Sequence, residues 1–296
     1  MSMEEIVVIS GKGGTGKTSI LASFALLAER AVIADCDVDA ADLHLILSPE
    51  IRRREPFQSG REAVIRKEDC TACGQCLEVC RFDAVKRVDS TDGTGGFVVD
   101  SVACEGCGVC VHFCPDKAID FPERLCGEWF VSQTRCGPMV HARLGIAAEN
   151  SGKLVSIVRR EAGAICEKEG RKILLVDGPP GIGCPVIASI TGASSVLAVT
   201  EPTLSGEHDL DRVLSLTQHF GIPSAVCVNK WDLNPALTEQ IEQRALAKGA
   251  SLPGRVRYDR SVTKAQILGK AVVEYGGPAA EDIRLLWHNL ERSEKK

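Results

Sequence analysis

The chain has 296 residues, 44% hydrophobic and 25% charged, with a formal net charge of −5. That composition supports one large α/β domain or two smaller units with a sizeable core, and the acidic balance argues against a dedicated nucleic-acid binder. The first ten residues, MSMEEIVVIS, carry acids where a signal peptide carries bases, and no apolar run approaches the ~20 residues needed to span a bilayer. The chain has fourteen cysteines. Without export they bind metal or stay reduced, which points to the cytoplasm.

In chain order, a strand over Ile6 to Ser10 leads into Gly11-Lys12-Gly13-Gly14-Thr15-Gly16-Lys17-Thr18, then a helix over 17–29 and a second strand from Ala31 to Cys36. This is the β–loop–α–β unit that builds parallel sheets. The loop fits G-x-x-x-x-G-K-S/T in the strand-to-helix context that the motif requires. Its glycines let backbone N–H groups wrap a phosphate at the positive end of the following helix. Lys17 would reach the β- and γ-phosphates and the Thr18 hydroxyl would ligate Mg²⁺. The second strand ends at Asp35-Cys36-Asp37, beside the loop, with Asp39 and Asp42 following. Four acids in eight residues also describe a solvated loop. The stretch 51–61, IRRREPFQSGR, reads as a solvated entry linker, with docking of an acidic partner as the other reading.

Two cysteine runs follow: Cys70, Cys73, Cys76 and Cys80, then Cys104, Cys107, Cys110 and Cys114 before Pro115. The spacing is that of a two-cluster bacterial ferredoxin, in which the fourth cysteine of each run ligates the other cluster. Cluster one then takes Cys70, Cys73, Cys76 and Cys114, and cluster two takes Cys104, Cys107, Cys110 and Cys80. Zinc is the competing reading, although zinc sites use cysteine pairs more than triplets with a distant fourth. The first run ends Cys80-Arg81, where a proline is usual.

Beyond the runs, Cys126, Cys136, Met139 and His141 are scattered through 126–155, either as a second metal site or as packing residues. A helix is expected over 152–168 and apolar strands at 172–176, 195–200 and 224–228, suited to a sheet buried on both faces. Asp177 terminates the first of these strands, where a carboxylate holds Mg²⁺. Cys36, Cys166, Cys184 and Cys227 read as small core residues. In the last segment, 279–296, Ile283, Leu286, Trp287 and Leu290 share a helical face. Glu281, Asp282, Glu291 and Glu294 offset the bases there, which argues against membrane targeting.

The extra lysine makes GKGGTGKT a deviant phosphate loop that resembles the MinD/ParA/Mrp/nitrogenase-iron-protein class of ATPases. The resemblance implies a homodimer that forms with ATP, in which Lys12 reaches the partner's nucleotide. It implies Asp37 in switch I near Mg²⁺ and the attacking water, with Asp39 and Asp42 as neighbouring candidates. It makes Gly178 and Gly181 the γ-phosphate sensors of switch II, and Asn229 the adenine reader. Asn229-Lys230-Trp231-Asp232 also resembles the N-K-x-D of guanine-specific GTPases, and the deviant loop weighs toward ATP. Phosphate loop, cysteine block and the 126–155 segment together resemble MinD-superfamily ATPases with an inserted ferredoxin domain. The expected fold is therefore α/β, a mostly parallel sheet flanked by helices (1–59 and 121–296), with a small ferredoxin-like α+β insert (60–120). The expected activity is ATP hydrolysis, with Lys12, Lys17 and Asp37 as catalytic residues, coupled to electron transfer through two 4Fe–4S clusters and an unidentified redox partner. Assembly or delivery of an iron–sulfur or other metal cofactor, and a MinD-like positioning switch with redox-sensing clusters, are the alternatives.

Overall fold

The computed structural model describes residues 3–88, 95–145 and 151–293. The chain divides into two compact units. The first comprises Met1–Glu55, Glu128–Leu144 and Asn150–Lys296, and the second Pro56–Gly127 with Gly145–Glu149. In chain order the elements are β1 (Glu4–Ser10), α1 (Lys17–Leu27), β2 (Val32–Asp35), α2 (Leu43–Leu47), β3 (Glu50–Arg61), β4 (Val64–Ile65), α3 (Gln75–Val79), β5 (Val85–Val88), β6 (Gly96–Val99), α4 (Val109–Phe113), β7 (Ile119–Asp120), β8 (Glu123–Thr134) and β9 (Gly137–Leu144). They continue with α5 (Ser151–Lys168), β10 (Ile173–Pro180), α6 (Cys184–Ile190), β11 (Ser195–Thr200), α7 (Leu204–His219), β12 (Ser224–Asn229), α8 (Pro235–Ala247), β13 (Ser251–Val256), α9 (Arg260–Ile267), α10 (Val272–Tyr275) and α11 (Pro278–Ser293).

The large sheet has strand order β13-β12-β11-β1-β10-β2-β9-β8-β3. Every pairing from β13 through β9 is parallel. Strands β1, β2, β10 and β11 are almost continuously buried and apolar, as a sheet covered on both faces demands. Because β1 lies between β10 and β11, the loop after β1 emerges where chain connections leave in opposite directions. In open α/β sheets that crevice binds ligands. On one face α1 and α11 pack together, with Phe24 and Trp287 rings 4.9 Å apart. Ile283, Leu286, Trp287 and Leu290 are all buried there, so the apolar face of the last helix is spent on the core. Glu294 lies outside the described residues. Among the described residues no helix is long and apolar enough to cross a membrane.

Two expectations are corrected. Residues 51–61 do not form a linker; they form most of β3, hydrogen-bonded beside β8 at the sheet edge. The arginines are exposed, as expected, but each is engaged: Arg52 with Glu50 (2.9 Å), Arg53 with Glu161 (2.7 Å) and Arg54 with Glu128 (3.7 Å). Arg53 also lies over the Trp129 ring and Arg54 over Phe130. Charged residues on an edge strand block stray strand pairing, so a local reading of polarity mistakes such a strand for a loop. Likewise Cys184 is exposed at the first position of α6, whereas Cys36, Cys166 and Cys227 are buried.

The scattered residues of 126–155 are engaged in the fold, with Cys136 half-buried against the core. Cys126 Sγ donates to the Ser59 carbonyl (3.1 Å), and Met139 is in the core. His141 Nε2 bonds Ser132 Oγ at 2.8 Å, with its ring stacked on Phe130. Burial, with His44 nearby, lowers the His141 pKa to about 4. Folding therefore favours the neutral ring. Its stabilising share is fully present above the unfolded value near 6.5 and is lost as pH falls toward 4. We expect wild type to lose about 3 kcal/mol more stability than His141→Gln over that window, measured by urea denaturation at each pH. Parallel pH profiles would refute the assignment.

Candidate functional site

The phosphate loop joins β1 to α1 with Gly14 (φ 80°) and Gly16 (φ 88°) in left-handed conformations, where a side chain costs roughly 1–2 kcal/mol. A Cβ on Gly16 would also fall 2.3 Å from Asn229 Nδ2. Gly16→Ala should therefore displace Asn229 and abolish nucleotide binding while leaving the chain folded. Calorimetric titration with MgATP, alongside circular dichroism, checks this, and retained affinity would contradict it.

Behind the loop lies an acidic cluster. Lys17 Nζ donates to Asp177 Oδ1 (3.0 Å) and Asp37 Oδ2 (3.2 Å). The residue is 6% exposed. Burial alone would lower the Lys17 ammonium, but Asp177 and Asp37 outweigh it and hold its pKa above the ordinary value. Sheet register brings in a third acid. Asp177 on β10 pairs with Asp35 on β2, and Asp35 is 1% exposed. Burial and then the Asp177 charge push the Asp35 carboxyl well above the usual range. Burial also raises Asp37, partly offset by Lys17. Asp35 Oδ2 and Asp177 Oδ2 are both buried without a hydrogen-bond partner. An unpaired buried carboxylate oxygen is costly, and a divalent cation with its waters is the ligand that satisfies two of them. Asp177, Asp35 and the Thr18 hydroxyl thus fit Mg²⁺ in donor chemistry. Sequence reasoning preferred Asp37 and passed over Asp35; the available signal was a second strand ending in aspartate beside the loop.

A cleft of about 370 Å³ opens over the loop, lined by Gly13 to Ser19, Asp37, Asp42 and Gln266. Asn229 and Lys230 line an adjoining cleft of about 200 Å³ with Arg257, Tyr258 and Gln266. Asn229 is fixed from both ends: Nδ2 donates to the Thr15 carbonyl (2.7 Å), and Oδ1 accepts from Lys230 N–H (2.9 Å). Asp232 Oδ1 accepts the Tyr258 N–H at 2.6 Å. One oxygen of the carboxylate that a guanine site requires is thus engaged by backbone.

Other expected residues lie elsewhere. Gly11 packs against Asp209. The Gly181 N–H donates to the Ser10 carbonyl (2.8 Å), and Asp39 is exposed. Within the single chain Lys12 Nζ donates to Thr203 Oγ1 and Ser205 Oγ, both at 3.1 Å, with Glu201 at 3.8 Å. Thr203 also caps α7 through the Gly206 N–H.

The second unit brings the cysteines together by itself. Its two runs share one backbone pattern. Positive φ occurs at Ala72 and Gly106, at Gly74 and Gly108, and at Asp83 and Lys117. Gly74 precedes α3 and Gly108 precedes α4. A Cβ on Gly106 would fall 2.2 Å from the Arg61 carbonyl, so glycine is obligatory there. Cys70, Cys73, Cys76 and Cys114 surround one small cavity, and the Ala118 N–H donates to Cys114 Sγ (3.3 Å). Burial raises the Cys110 thiol, and the nearby Cys104, Cys107 and Cys80 raise it further. Burial also acts upward on Cys80, but N–H groups of Phe82, Ala84 and Val85 prevail and lower it. The fourth cysteine of each run therefore sits with the triplet of the other. Among the described residues no three His, Cys, Asp or Glu side chains converge as ligands of a single ion. A cubane needs a different arrangement, four thiolates spread around its corners, and the donor set fits one.

Comparison with known proteins bears on the family of the chain. Residues 6–272 match the CobQ/CobB/MinD/ParA nucleotide binding domain family. An uncharacterized protein of Methanocaldococcus jannaschii is 33% identical over 237 residues, covering 78% of this chain and 79% of its own length. Among solved structures, the septum site-determining protein MinD complexed with Mg-ADP from Pyrococcus horikoshii superposes with a TM-score of 0.59 at 15% identity, covering 98% of this chain and 97% of its own. MinD in the MinC:MinD cell division complex of Aquifex aeolicus superposes with a TM-score of 0.57 at 19% identity, covering 98% and 96%. These two likenesses concern the fold. The matched family spans most of the chain and includes the phosphate loop, Asp177 and Asn229, so the chain belongs to the CobQ/CobB/MinD/ParA nucleotide-binding family.

Proposed function

We propose that this protein is a Mg²⁺-dependent ATPase, homodimeric in its ATP-bound form, that couples nucleotide state to electron transfer through two 4Fe–4S clusters. The observation that carries the cluster half is the exchange of fourth cysteines, with Cys114 at the cavity of Cys70, Cys73 and Cys76, and Cys80 near enough to Cys110 to act on its thiol, as Cys104 and Cys107 do. No chance distribution of structural cysteines requires that crossing. The nucleotide half is supported by family membership and by the Lys17–Asp37–Asp177 cluster under the glycine loop.

Residue roles follow from position. Backbone N–H groups of 13–18 receive the phosphates. Lys17 leaves Asp37 and Asp177 to bind the β- and γ-phosphates, which frees Asp177 for Mg²⁺ and Asp37 to orient the attacking water. Mg²⁺ supplies charge neutralisation at the phosphates, and the clusters supply one-electron storage. Lys12 moves from Thr203 and Ser205 to the partner's nucleotide. Asp232, one oxygen of which is held by Tyr258, is not among the residues that line the base cleft, which favours ATP.

The test is anaerobic purification, iron and zinc analysis, and EPR of the dithionite-reduced protein with MgATP or MgADP. Reducible 4Fe–4S signals that change with ATP are expected. Signals indifferent to nucleotide would refute coupling, and zinc in place of iron would refute the clusters.

A further inference from the structure

We infer that Arg66, with the Thr71–Asp116 pair, is a positioning device for one cluster only, and that the two clusters consequently differ in how readily they are lost. The inference rests on the cluster reading above.

The two cysteine runs correspond position by position, from Cys70 with Cys104 to Val85 with Ile119. Their backbone bonding corresponds too. The Arg66 N–H donates to the Ala118 carbonyl (2.8 Å), and the Asp100 N–H donates to the Ala84 carbonyl (2.7 Å). Each bond joins the approach to one triplet with the stretch after the cysteine contributed by the other run. A cluster is released when these two segments part.

Side chains break the symmetry. Arg66 Nε donates to Asp69 Oδ2 (2.6 Å), just before Cys70, and Nη2 donates to the Lys117 carbonyl (2.7 Å), just after Cys114. Nη1 engages the Asp120 carboxylate. Thr71 Oγ1 donates to Asp116 Oδ2 at 2.5 Å. One guanidinium fork and one hydroxyl–carboxylate bond thus fasten the Cys70–Cys76 loop to the segment that carries Cys114. Isolated surface ion pairs contribute little, but a planar fork holding several acceptors in fixed geometry is the favourable case.

On the other side, Asp100 stands where Arg66 stands, Glu105 where Thr71 stands and Phe82 where Asp116 stands. Glu105 and Phe82 have no hydrogen to exchange. Asp100 Oδ1 accepts the Val102 N–H (3.0 Å), within its own loop. Among the described residues no side-chain bond joins 104–110 to 80–86. Among the described residues, backbone and thiolates alone hold the Cys104–Cys107–Cys110–Cys80 cluster, and it is the labile one. The Cys70–Cys73–Cys76–Cys114 cluster is the permanent one.

The experiment uses the anaerobically loaded full chain, challenged with excess bathophenanthroline disulfonate. Iron release is followed by absorbance, and the remaining clusters are followed by EPR. Wild type should release half its iron quickly and half slowly. Arg66→Ala and Asp116→Ala should each speed the slow half about five-fold and leave the fast half unchanged, on the scale of one lost charge-assisted tie. Asp116→Asn keeps an acceptor for Thr71 and should restore the slow phase. A single phase in wild type would overturn the inference, as would variants that accelerate both halves alike, the mark of a merely structural role. A chain that binds no iron would instead overturn the cluster reading itself.

Discussion

Lys17→Ala should abolish nucleotide binding and also destabilise the nucleotide-free protein. The second effect is the less obvious one. Lys17 is the cation bonded to Asp37 and Asp177, with Asp35 paired beside Asp177 on the neighbouring strand. Removing one partner of a buried ionic cluster leaves the others uncompensated, at a cost of about 3–5 kcal/mol. Proton uptake by Asp35, already favoured by its burial and by Asp177, moderates that cost. Its sign with pH follows. Carboxyls raised in the folded state contribute stability that is full below their unfolded values and lost as pH rises through the folded ones. The variant's deficit should therefore shrink toward acid pH. Adding Asp177→Asn to Lys17→Ala should recover stability without recovering nucleotide affinity. Guanidinium denaturation midpoints at pH 5 and pH 8, with calorimetric MgATP titration, measure both. An unchanged midpoint in the single variant would mean that Lys17 does not neutralise this cluster.

On the proposed cluster reading, removing iron should unfold the second unit and leave the first standing. The second unit has a small apolar core: Ala63, Cys76, Val85, Phe97 and Ile119 are its clustered buried residues, with Ile65, Val99, Val111, Phe121 and four cysteines packed against them only partly buried. Its two small sheets have two strands each, and α3 and α4 have five residues apiece. Helices that short are unstable alone and two-stranded ribbons are marginal. A unit this small needs staples, and metal–thiolate bonding contributes on the order of 10 kcal/mol to folding in small metallo-domains. The first unit has its own large core around α1, α11 and the parallel sheet. After oxidative removal of iron, amide exchange over 56–127 should become fast. Exchange in β1, β10 and β11 should stay slow, and MgATP should still bind. Persistent protection of 56–127 without iron would show that the small core suffices.

Much of this chemistry was legible in the residues themselves. The loop of 11–18 declares itself because wrapping a phosphate needs glycine, lysine and a hydroxyl at fixed local spacing. On the cluster reading proposed above, the cysteine triplets do so too, because one tight loop would meet three corners of a cubane. The strands at 195–200 and 224–228 were legible for a similar reason, since a strand buried on both faces is apolar along its length; Asp177, expected to end its strand, instead lies buried within β10, which runs on to Pro180. What the sequence could not decide depends on neighbours distant in the chain. Asp35 joins the acidic cluster because β10 lies beside β2 with Asp177 in register. Asp232 meets the N–H of Tyr258, contributed by the segment after β13. The arginines of 52–54 belong to a strand because β8 supplies the hydrogen-bonding edge and Glu161 and Glu128 supply the counter-charges. The fastening of one cysteine loop by Arg66 requires Lys117 and Asp120 to arrive from the other run. Local spacing determines which atoms a segment offers; only tertiary packing determines which distant donors, acceptors and charges those atoms meet, because such partners arrive from strands and loops far away in the chain.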